Sequence, residues 1–169
     1  LQTLAARQNG TSRDKVQVRL IAHHSAERTA FTAFELLAGA GPLTPPPFLA
    51  KIAVNGEPLG DEIVQGYFDR PYALPSGAAT HRLTAAATAA TVAALRSHTP
   101  RSLHVPAPAG RPGGYPVTVS RAGIELDLPD GVSEADAIAV NAVAARWDGI
   151  ERIAPDGTRT TGYPVIADD

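Results

Sequence analysis

The residues in this sequence best suited to chemistry are histidines and arginines placed where one element hands over to the next. In VQVRLIAHHSAERTAF, residues 16–31, an apolar β-branched run ends in His23 and His24, followed by Ser25 and the start of a helical pattern. Histidine titrates near neutrality, so an imidazole at a strand end beside a helix N-terminus can serve as general acid or base. Successive strand side chains point to opposite faces, so His23 and His24 cannot both face one site in extended geometry. One would pack against the helix while the other reaches a cleft. The plainer reading is a polar strand end. No metal pair is expected, because adjacent histidines converge poorly and no Asp or His partner stands at ligand spacing. Ser25 beside His24 makes no nucleophile–base pair, since no Gly-x-Ser-x-Gly elbow surrounds it.

His81 and Arg82, in SGAATHRLTAA at 76–86, fall in the first turn of a long helical pattern. Backbone N–H groups and the helix dipole favour an anion there, and arginine can grip a carboxylate or phosphate with two donors. A solvated first turn is the competing reading. Arg70 and Tyr72, in FDRPY, lie in a loop between helical patterns; an Asp69–Arg70 neighbour pair is usually a surface feature worth little. The catalytic candidates are therefore His23, His24 and His81, and the substrate-binding candidates Arg82, Arg70 and Tyr72. A functional histidine would line a concave site that also receives Arg82 or His81. In RPGGYPV, Gly113 and Gly114 would let backbone approach a ligand or another chain closely, although a plain turn is the commoner explanation.

These residues need elements to hold them. Residues 1–9 suit a short helix ended by Gly10, and 16–22 a strand. The spacing of Phe31, Phe34 and Ala38 predicts a helix over 26–38, and PLTPPP at 42–47 a stiff linker. KIAV at 51–54 reads as a strand entering an Asn55-Gly56 turn of type I′. DEIVQGYF at 61–68 reads as a short helix. Ala78–Arg96 reads as a long helix whose small residues suit close approach of another element. SLHV at 102–105 is a further strand. YPVTVS and GIELDL form a hairpin around Arg121-Ala122-Gly123, with Tyr115, Val117 and Val119 on one face and Ile124, Leu126 and Leu128 on one face of its second strand. Ser133 caps a helix running to about Trp147, expected to bury Val140, Val143, Ala144 and Trp147. IERIAPDGTRTT is a final hairpin turning at Pro155-Asp156-Gly157. The expected fold class is α+β: a mixed, largely antiparallel sheet with helices packed mainly on one face.

Composition narrows the function. The 169 residues suit one domain, with 44% hydrophobic and 19% charged residues. Net charge is −2, which leaves no electrostatic footprint for nucleic acid or an anionic membrane. No apolar stretch approaches the roughly 20 residues that span a bilayer, and no signal-peptide pattern opens the chain, so a cytoplasmic location is the default expectation. Cysteine is absent, which removes disulfides, thiolate nucleophiles and zinc-thiolate sites. No Gly-x-Gly-x-x-Gly follows a strand and no P-loop is present, so this chain alone binds no nucleotide cofactor by those routes. It starts at Leu1 and holds no methionine. The expectation is a fragment or C-terminal domain of a larger protein.

The order long helix, strand, GGYPVTVSRAGIELDLP hairpin and SEADAIAVN capped helix, over 81–141, resembles the C-terminal substrate or catalytic lobe of two-domain NAD(P)-dependent dehydrogenases of the lactate/malate and opine types. The His-Gly-Asp signature of the lactate/malate group is missing, so no catalytic residue carries over. The resemblance implies an N-terminal nucleotide-binding domain in the same protein, NAD(P) bound there, and a small-molecule substrate at the interdomain cleft. Two other functions fit the residues. One is a non-catalytic binding or dimerisation domain, whose hairpins pair across a two-fold axis into a homodimer. The other is a small histidine-dependent enzyme acting on a carbonyl or ester.

Overall fold

A computed structural model describes residues 1–23, 47–68, 78–146, 150–154, 156 and 158–162. The helix expected over 26–38, the loop at 69–77 and Trp147 lie outside these residues, as does most of the 42–47 linker.

Where signals are local, the chain follows them. Helix α1 (Gln2–Gln8) stops before Gly10, which takes φ +59°. Strand β1 (Val16–Ile21) occupies the β-branched run. Strands β2 (Leu49–Val54) and β3 (Glu57–Pro58) are antiparallel, with Val54 opposite Glu57. Between them Asn55 and Gly56 both have positive φ, 54° and 87°, as a type I′ turn requires. Helix α2 (Asp61–Phe68) opens with Asp61 and Glu62 in the turn where the dipole favours acids. Helix α3 (Ala78–Leu95) is the longest element. Strands β4 (Arg101–Pro106), β5 (Gly114–Ser120) and β6 (Gly123–Leu126) follow, and β5 and β6 pair antiparallel from Ser120–Gly123 to Val117–Leu126. Helix α4 (Glu134–Ala145) precedes the hairpin of β7 (Ile150–Ile153) and β8 (Arg159–Thr161).

The architecture is α+β. Among the described residues the strands are divided over three small sheets, ordered β1-β2-β3, β4-β5-β6 and β7-β8. By their internal contacts the residues form two compact units. The first comprises Leu1–Leu20, Ala50–Val105 and Tyr115–Asp130; the second comprises Ile21–Leu49, Pro106–Gly114 and Gly131–Asp169.

In the first unit, Ala5 and Ala6 of α1 pack with Val16, Ile52, Val54, Val64 and Tyr67. The Asn9 amide ties the end of α1 to this core, donating to the Ala5 carbonyl at 2.9 Å and to the Tyr67 hydroxyl at 3.2 Å. Tyr115, Val117 and Val119 are all fully buried on one face of β5, the alternation read from the sequence. Ile124 is different: it stands opposite Val119, yet it is 44% exposed.

In the second unit, the start of α4 is fixed by a reciprocal cap. The Ser133 side chain accepts from the Asp136 N–H, and the Asp136 carboxylate accepts from the Ser133 N–H. The helix then buries Ala137, Asn141, Ala144 and Ala145. Val143, expected inside, is 46% exposed, and Val140 is half-buried. The inward face follows the helical spacing of Ala137, Asn141, Ala144 and Ala145, and the two valines fall off it. The final hairpin turns where expected: the Asp156 carboxylate accepts from the Thr158 N–H at 2.9 Å, and Ala154 N–H donates to the Thr158 carbonyl at 2.8 Å.

Candidate functional sites

Three places concentrate the polar or unpartnered groups, and two of them include residues singled out from sequence. The first surrounds the β1 end in the second unit. Ala22 forms an isolated antiparallel bridge with Gly114, exchanging backbone hydrogen bonds of 3.3 and 2.9 Å. His23, the next residue, is buried. The Gly114 carbonyl also accepts from Asn141 Nδ2 at 3.2 Å. Asn141 is fully buried and its Oδ1 receives no hydrogen bond. Gly113 sits at φ +77°, and a Cβ there would run into the Asn141 amide. Gly113 is thus required by close packing against an asparagine of the same unit, not by the ligand or second chain that the sequence suggested for this glycine pair. Nearby, Arg111 anchors the loop by donating to Glu134 at 2.7 and 2.8 Å and to the Pro108 carbonyl at 3.0 Å.

The second place is α3 in the first unit. His81 and Arg82 lie in its first turn, both exposed. His24, Arg70 and Tyr72 fall outside the described residues, so of the six candidates the structure places His23 in one unit and His81 and Arg82 in the other. Beyond Arg82 the helix has no charged residue through Leu95. Among its side chains described, only Ala94 is buried, while Leu83, Val92 and Leu95 are 58%, 52% and 39% exposed. The threonines add little polarity. Thr88 and Thr91 hydroxyls donate to the carbonyls of Thr84 and Ala87 at 3.0 Å each, turning back on their own helix.

The third place was not singled out from the sequence. Arg19 of β1 donates from Nε and Nη2 to one oxygen of Asp127, just after β6, at 3.0 and 2.9 Å. His104 of β4 accepts the Leu20 backbone N–H on Nε2 at 3.1 Å. That bond fixes the tautomer, with the ring proton on Nδ1. Desolvation holds the His104 pKa below the ordinary histidine value, against the opposing pull of the Asp127 carboxylate. The lone pair a general base would use is already occupied. This cluster therefore serves to join strands, and its members are 23 residues or more apart in sequence. The only signal of His104 was a histidine alternating with Leu103 and Val105 inside a strand pattern.

Among the described residues no three His, Asp or Glu side chains come together to hold a metal, and no helix is long and apolar enough to cross a membrane. No protein-family model matches the chain, and no curated protein or solved structure matches it.

Proposed function

We propose that this chain is a non-catalytic association domain that pairs with a second copy of itself through α3. One observation supports the reading: an 18-residue helix made almost wholly of Ala, Thr, Val and Leu, with a single buried residue among those described. A helix apolar all round belongs against another surface, because its side chains lose little by leaving water and gain by burial. Small residues let a second backbone come near, and the charge-free run from Leu83 to Leu95 brings no like charges into the overlap. Paired antiparallel about Ala89, each Leu83 would lie beside the other copy's Leu95, a self-complementary arrangement of the kind two-fold dimers use.

Sedimentation velocity at about 1–100 μM, the range in which a modest interface declares itself, tests this. The wild-type chain should sediment as a dimer and Ala89→Glu as a monomer with unchanged helix content. A wild-type chain that stays monomeric throughout would refute self-association. That result would leave the resemblance to a dehydrogenase lobe as the better reading, with a neighbouring NAD(P)-binding domain as the cover for α3.

A further inference from the structure

We propose that His104 is a proton-sensitive clasp, fastening β1 to β4 while its imidazole is neutral and letting go when it is protonated. Among the described residues β1 is an edge strand of its sheet, so its outward N–H groups have no ladder partner there. His104 supplies one, accepting the Leu20 N–H across 84 residues of chain. An imidazolium carries hydrogen on both nitrogens and accepts nothing. Protonation therefore sets one N–H against another, and leaves the Leu20 amide of an edge strand without its acceptor.

The groups around His104 favour this behaviour. From β1 comes Arg19, and from just beyond β6 comes Asp127, bound to each other. Glu125, two residues before Asp127, lies on the same face of its strand by alternation. β5, reading GYPVTVS, contributes no charged side chain. His104 as a residue stays exposed, but its Nε2 is turned onto the Leu20 N–H. The carboxylate best placed to welcome an imidazolium already has Arg19 on it. The partial desolvation of the ring is therefore not offset, and the ring resists protonation in the folded chain. An unfolded histidine has an ordinary pKa of about 6.5. The folded value is lower, so the unfolded chain binds the proton more readily. The stabilisation is complete above about pH 6.5 and is lost as pH falls from there through the folded value.

NMR on the full chain between pH 8 and 4.5 tests the clasp, following the His104 ring and the Leu20 amide. The ring should titrate below 6.5, and Leu20 protection from hydrogen exchange, corrected for intrinsic rate, should fall severalfold through the same titration. The Ile52 amide of β2 should keep its protection over that range. In urea, wild-type stability relative to His104→Gln should fall as pH drops below 6.5, because glutamine does not titrate. A ring titrating at or above 6.5 overturns the proposal, as does Leu20 protection unchanged across the titration, or lost only together with Ile52. The wild-type measurements decide the matter if the variant does not fold.

Discussion

Replacing Gly113 with alanine tests the packing of the second unit at its tightest point. Gly113 adopts φ +77°, a region where a Cβ costs about 1–2 kcal/mol. The same Cβ would overlap the amide of fully buried Asn141, so that side chain must move. Moving it breaks the 3.2 Å bond from Nδ2 to the Gly114 carbonyl. A buried amide left without that partner loses about 1–3 kcal/mol more. Together the two effects predict about 2–5 kcal/mol of destabilisation, a large share of the 5–15 kcal/mol of an ordinary domain. Urea unfolding should show it as a midpoint lower by about 1 M or more at unchanged slope. Because the steric part runs through Asn141, Gly113→Ala and Asn141→Ala should not add: the double variant should be more stable than the sum by about 1–2 kcal/mol. A loss below about 1 kcal/mol, the least the backbone strain alone predicts, or strict additivity, would refute the argument.

Ser133→Ala should destabilise α4 by about 1 kcal/mol in thermal or urea unfolding, by removing a side-chain cap. It should also raise the Asp136 pKa toward the ordinary carboxylate value, since the Ser133 side-chain hydrogen bond is the largest cause holding it low. In the wild type the Asp136 contribution is present above the ordinary aspartate range and fades as pH falls through the lowered value, which an NMR carboxylate titration of both proteins checks. Val117→Ala should lose about 1–3 kcal/mol, because Val117 is fully buried. Val143→Ala should stay within about 0.5 kcal/mol, because Val143 is half-exposed. Parity between the two in urea unfolding would show that the inward faces are wrongly assigned.

Features set by neighbouring residues were legible in the sequence. Asn55-Gly56 specified its turn through the need for positive φ, and Ser133 specified a helix start as its N-cap. The alternation of Tyr115, Val117 and Val119 showed the buried face of β5. The inward face of α4 was not legible, because EADAIAVNAVAA offers apolar residues on every side. Asn141 in particular could not be expected inside, since its burial depends on a carbonyl 27 residues away. Nor could the meeting of Arg19, His104 and Asp127 be read, because β1, β4 and the segment just past β6 deliver them from far apart in the chain. Of the candidate polar residues, the sequence marked His23 as a strand-end histidine, and there the structure places a buried side chain beside the Ala22–Gly114 bridge.

The way the two units share the chain has a consequence for how the protein is made. The chain leaves one unit for the other after Leu20, Leu49, Val105, Gly114 and Asp130. A ribosome adding about 5–20 residues per second thus delivers the last strand of the first unit only after most of the pieces for both have emerged. Neither unit can finish as an N-terminal body: the cluster of Ala5, Val16, Ile52, Val64 and Tyr67 can gather once α2 has emerged, but β4 must wait for β5 and β6. Cutting the gene anywhere between Ile21 and Asp130 leaves part of each unit on either fragment. Two such fragments, inert alone, should regain native signals when mixed, which makes the protein a natural subject for split-fragment complementation.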